Sequence, residues 1–174
     1  MALEQAETSA RAAEGEFVIT RVFDAPRERV WKAWTQSERL ARWWGPKGFA
    51  MEIAKLDLRP GGIFHYRMRS PDGRDMWGKF VYREIAAPER IVFVNCFSDE
   101  RAGVTRHPMS PTWPLQVLST VTFAERDGKT TLTLRGVPIN ASQEERQTFA
   151  AGFASMRQGF AGTLDQLDQY LLDA

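Results

Sequence analysis

The chain has 174 residues, 43% hydrophobic and 26% charged, with 23 Lys and Arg against 22 Asp and Glu for a net charge of +1. This length and mixture suit one globular domain with a substantial core, and the balanced charge removes the electrostatic basis for binding nucleic acid or an anionic membrane. No apolar run approaches the roughly 18 residues that span a bilayer, and the single cysteine, Cys96, excludes an internal disulfide and any multi-cysteine metal site.

Residues 1–15, MALEQAETSARAAEG, are rich in Ala, Glu and Gln without an apolar stripe and read as a mobile tail. They show neither the basic region and apolar core of a secretory signal nor the acid-poor composition of a mitochondrial presequence, so a cytoplasmic location is expected. From Glu16, EFVITRVF predicts a strand that ends at Asp24-Ala25-Pro26. The proline suits the first turn of a helix through PRERVWKAWTQ, where Val30, Trp31 and Trp34 have helical spacing. A second short helix, SERLARWW, is read with Ser37 as its cap and Gly45-Pro46 as its stop. Trp43 and Trp44 point about 100° apart on a helix, too far for one core-facing stripe to take both easily. Either one ring anchors the helix while the other lines a cavity mouth, or both fill the core.

From Phe49 to about Gly136 the pattern changes to strands separated by turns: FAMEIAKLDL, RPGG, IFHYRMR, SPDG, DMWGKFVYREI, AAPE and RIVFVNCF. The apolar neighbours of Cys96 make it a buried structural thiol. A loop from Ser98 to Pro114 follows, then the hairpin LQVLSTVTFAE, RDGK, TTLTLRG. A loop this long in a compact domain is functional or disordered, and it is read as a cavity lid, a protein-contact loop or a mobile insert. The last segment opens with the capping-box pattern Ser142-Gln143-Glu144-Glu145. Phe149, Phe153, Met156, Phe160, Leu164, Leu167 and Leu171 then form one stripe on a long helix. Gly152, Gly159 and Gly162 interrupt it, each costing roughly 0.8–1 kcal/mol against alanine, which is read as room made for a ligand or for close approach by the sheet. The expected class is α+β, with a curved antiparallel sheet of about seven strands wrapped on the C-terminal helix and two short helices after the first strand.

The motifs APRERVWKAWTQSERLARWWGP, DLRPGGIFHYRM, PDGRDMWGKFVYREIAAPERIVF, TVTFAERDGKTTLTL and QGFAGTLDQLDQYL run in order over residues 16–172. Together they resemble the helix-grip fold of the START-like (SRPBCC, birch-pollen-allergen-like) superfamily, and within it the AHSA-type proteins related to the activator of heat-shock-protein ATPase. The resemblance implies a single helix-grip domain over 16–174 with a hydrophobic cavity between sheet and long helix. Many members of the superfamily use that cavity for lipids, polyketides or other apolar molecules, and others act on protein partners. Gly159-Phe160 departs mildly from the glycine-tryptophan often found in this subgroup.

Strand alternation places Phe64, Tyr66 and Met68 on one face, with Phe93 and Asn95 also inward, and Phe80 joins them. Asn95 is an amide among aromatics and needs partners or a ligand. The candidate ligand-binding residues are Trp44, Phe64, Tyr66, Phe80, Phe93, Asn95, Phe153, Met156 and Phe160, with Trp113 as a lid. The two histidines, His65 and His107, have no metal-ligand spacing, and there is no serine elbow or Cys-His pair. No catalytic set, metal or cofactor is therefore expected. The favoured reading is binding of a small hydrophobic molecule, lipid- or polyketide-like. One competitor is a polyketide cyclase or dehydratase using Tyr66, His65 or Asp57 as acid or base, since positioning alone accelerates cyclisation. The other, suggested by the resemblance, is a protein-interaction or chaperone-ATPase-activator-like module that contacts a protein partner or a second copy of the chain.

Overall fold

A computed structural model describes residues 15–173, so the tail read over 1–15 lies outside the described residues except for Gly15. The elements run β1 (Phe17–Phe23), α1 (Arg27–Thr35), α2 (Ser37–Trp43), β2 (Ala50–Leu56), β3 (Ile63–Arg69), β4 (Asp75–Ala86), β5 (Arg90–Ser98), β6 (Val104–Thr105), β7 (Val117–Arg126), β8 (Lys129–Pro138), α3 (Gln143–Ala151) and α4 (Phe153–Asp173). All strand pairs are antiparallel, in the order β1-β8-β7-β5-β4-β3-β2, with the short β6 added to β5 inside the predicted loop. Register shifts between Ile53 and Lys55 and between Tyr82 and Glu84 put bulges in β2 and β4, and bulges bend a strand and increase its twist. The curved sheet carries α4 against its inner face, which is the expected helix-grip arrangement of the α+β class.

Polar contacts fix α4 along its length. Arg157 donates to the Val18 carbonyl at 3.0 Å, Arg21 pairs with Asp165 at 2.8 Å, and Gln166 reaches the Gly45 carbonyl at 2.6 Å. Beneath its C-terminal half, Leu164, Leu167 and Leu171 are buried with Val30, Trp31 and Phe123. Toward its N-terminal half, Phe153, Met156 and Phe160 are only half-buried. The apolar stripe is continuous in sequence, but its burial is not.

Two local expectations change. Ser37 is the first helical residue of α2 rather than its cap; Gln36 holds that position, without a side-chain cap bond. The long terminal helix is divided at Gly152, whose N–H is shared among the carbonyls of Thr148, Phe149 and Ala150. A Cβ there would lie 3.0 Å from the Trp113 ring, so the glycine admits the loop against the break. Ser142 and Glu145 form the complete capping box that starts α3. Gly159 is exposed, with nothing within 4 Å of a Cβ added there, and Gly162 meets only the Lys47 side chain at 4.0 Å. Gly159→Ala is therefore expected to stabilise the protein by about 1 kcal/mol, the helix-propensity difference. In a thermal melt this reads as a rise of about 2–4 °C.

Candidate functional site

The inner face of the sheet is built from rows of paired residues. Tyr66 on β3 pairs with Gly78 on β4, which pairs with Phe97 on β5. The next row runs Phe64, Phe80, Asn95 and Val117, and the one after it Tyr82, Phe93, Ser119, Gly136 and Phe17. Large rings therefore alternate with Gly78, Ser119 and Gly136. Phe80 and Phe93 stack at 3.9 Å, and Phe64 lies edge-on to Phe80 at 5.1 Å, which closes the middle of the sheet. Beside this aromatic block, under the half-buried part of α4, lies a cavity of about 290 Å³. That is close to the lower end of the roughly 300–1,000 Å³ typical of small-molecule sites.

Met156 and Phe160 of α4 and Phe149 of α3 form its roof, and Trp113 and Pro114 from the loop before β7 contribute to its wall. Its floor includes Tyr66, Gly78, Asn95, Ser119 and Gly136. The Tyr66 ring leans over Gly78, where a Cβ would meet its hydroxyl oxygen at 2.6 Å. Burial pushes the Tyr66 phenol above its ordinary pKa of 10.0, so it lines the cavity in neutral form. Burial also raises the pKa of the Cys96 thiol, which lies in the His65–Lys79 row of the opposite face. Among the described residues no Asp, Glu, Lys, Arg or His lines it, and no three His, Cys, Asp or Glu side chains assemble a metal set.

Of the ten candidates, Tyr66, Asn95, Trp113, Met156 and Phe160 reach the cavity. Phe64, Phe80 and Phe93 form the adjoining core, and Phe153 packs on Phe17 and Phe149 at 5.8 and 5.4 Å. The tryptophan pair is also resolved. Trp43 is 1% exposed and donates its indole N–H to the Ala33 carbonyl at 2.9 Å. Trp44, already in extended backbone at the helix end, turns its ring among Trp34, Tyr66 and Phe80 instead of lining the cavity. Both rings belong to the core.

The sequence reading did not single out Phe17, Phe149, Leu134 or Gly136 for the site. A glycine at an inward strand position among aromatics was the available signal, and Gly136 carries it. Of the three acid or base candidates only Tyr66 faces the cavity. His65 is on the outer face, stacked on Trp77 at 4.9 Å with Nε2 3.0 Å from the Asp99 carbonyl, and Asp57 is paired with Arg59 at 2.8 Å.

The loop is clasped to α3. Arg106 donates to Glu145 Oε2 at 2.6 Å and to the Trp113 carbonyl at 3.4 Å, and the Thr112 and Thr148 hydroxyls are 2.9 Å apart. Glu145 Oε1 meanwhile accepts the Ser142 N–H at 3.0 Å. These bonds hold the Glu145 carboxyl below its ordinary pKa of 4.5, the Ser142 backbone bond having the largest effect. At the loop tip Met109 is 84% exposed.

No helix among the described residues is long and apolar enough to cross a membrane. No curated protein shows significant sequence similarity to the chain. Among solved structures it is similar to protein Ms6760 from Mycobacterium smegmatis, at 26% identity over 91% of each chain with a TM-score of 0.73. It is also similar to a protein from Arthrobacter aurescens, at 26% identity over 94% of this chain and 89% of that one, with a TM-score of 0.78. The fold alone is shared with DynU16 of the dynemicin biosynthetic locus, at 18% identity over 90% of this chain and 47% of that one, with a TM-score of 0.62. Residues 24–172 match the family described as activator of Hsp90 ATPase homolog 1-like protein. With that match over most of the chain, on a helix-grip fold enclosing a cavity, the protein belongs to the activator of Hsp90 ATPase homolog 1-like family.

Proposed function

We propose that the protein binds a small, largely apolar molecule in the cavity between sheet and α4. The observation that carries this reading is the interrupted burial of one helical stripe: Phe153, Met156 and Phe160 remain half-buried while the leucines one to three turns further on are sealed. Apolar side chains left partly unburied beside an apolar cavity gain free energy when a ligand covers them, at about 25 cal/mol per Å² before ordering costs. A few polar groups in the wall serve to orient the guest.

Native mass spectrometry of gently purified protein, with mass analysis of anything released on denaturation, tests for a resident molecule. In parallel, the neutral dye N-phenyl-1-naphthylamine should bind with enhanced fluorescence. Met156→Gln retains a good helix former and places an amide in the roof, so the dye should bind about tenfold more weakly. Unchanged dye affinity in a folded Met156→Gln protein, with no released compound, would overturn the reading.

A further inference from the structure

The walls also bear on what kind of molecule fits, an inference that rests on the binding reading above. Tyr66 is 4% exposed yet lines the cavity. Its ring is fixed by Phe64 at 4.7 Å, by the perpendicular rings of Trp44 and Phe80 at 6.1 and 5.9 Å, and by the Gly78 backbone beneath it. The Trp44 indole N–H is near enough to the Tyr66 oxygen to favour the phenolate slightly, but it does not reach hydrogen-bond geometry. Whatever that N–H contributes falls on the oxygen, and the hydroxyl's own proton is left without an acceptor among the described residues. The phenol stays protonated because burial disfavours its anion. Asn95 and Ser119 face the same cavity, and their side chains have no hydrogen-bond partner among the described residues.

The Tyr66 hydroxyl opens to the cavity rather than being sealed in the core, so a guest oxygen that enters can accept its proton and gain the modest net worth of one hydrogen bond. An anionic guest meets the opposite situation. It would surrender its hydration to a wall with no cation, and desolvation is not recovered without a paired charge. We infer that the cavity selects neutral molecules carrying an oxygen acceptor, which the Tyr66 hydroxyl donates to, and rejects carboxylates built on the same skeleton.

Three probes of one skeleton separate these terms: 2-acetylnaphthalene, 2-ethylnaphthalene and 2-naphthoate, titrated calorimetrically at pH 7.5. The ketone should bind about five- to tenfold more tightly than the hydrocarbon, the worth of one net hydrogen bond. The carboxylate should bind at least about a hundredfold more weakly than the ketone. In Tyr66→Phe, which keeps the ring and its packing, the ketone should fall to the level of the hydrocarbon, while the hydrocarbon changes less than about twofold. Equal binding of 2-naphthoate and the ketone would overturn the selection against anions. A ketone with no advantage over the hydrocarbon, or one that keeps its advantage in Tyr66→Phe, would overturn the role of Tyr66. In each of those cases the binding reading stands, whereas failure of all three probes to bind would overturn both.

Discussion

Gly78→Ala should destabilise the protein by about 2 kcal/mol, the range for an overpacked core, although exchanging glycine for alanine inside a strand ordinarily gains about 0.5–1 kcal/mol. The reversal comes from one neighbour. A Cβ at position 78 would lie 2.6, 2.7 and 2.9 Å from the Tyr66 Oη, Cζ and Cε2 atoms. The ring cannot retreat sideways, because Trp44, Phe64 and Phe80 surround it. Its remaining path leads into the cavity, so the variant should also lose ligand volume. Urea unfolding of Gly78→Ala, Tyr66→Ala and the double variant measures the contact. Once the ring is gone, the methyl should cost at least about 1 kcal/mol less than it does alone, within the range of direct couplings. Strict additivity would show that the ring does not resist the added methyl group.

Trp43→Ala should cost about 4 kcal/mol, the range for truncating a buried aromatic and a large share of the roughly 5–15 kcal/mol typical of a domain. It removes a ring that is 1% exposed and withdraws the indole N–H from the Ala33 carbonyl. The adjacent tryptophan provides the contrast. The Trp44 indole N–H is buried without a hydrogen-bond partner, so Trp44→Phe removes an unsatisfied donor along with some ring area and should cost less than about 1 kcal/mol. Denaturant midpoints of the two variants, with unchanged m values, check both figures. Comparable losses at the two positions would contradict the distinct roles assigned to these neighbouring rings.

The fold was legible because its signals are local. Period-two alternation marks β3, β5 and β7, the turns SPDG and RDGK end their strands, and Ser142 with Glu145 announces α3. The site was less legible because alternation assigns a face but not a depth. Phe64, Phe80 and Phe93 do point inward, yet they spend that direction on one another, while Asn95 in the same row as Phe80 opens to the cavity. Which inward residues touch each other depends on register across four strands, and sequence spacing within one strand does not supply it. Trp44 shows a similar limit at a helix end. Its 100° offset from Trp43 holds only while the helix continues, and the backbone has already become extended at residue 44.

Glu145 joins two parts of the molecule through one carboxylate, one oxygen serving the first turn of α3 and the other the arginine that holds the loop. Fraying of that turn and loosening of the loop are therefore coupled through this side chain, while the Thr112–Thr148 hydroxyl contact ties the loop to the following turn as well. Helix ends are where local opening costs least. The wall built by Trp113 and Pro114 is thus anchored in part to a helix terminus, and under the proposed binding function a loosened terminus would loosen that wall.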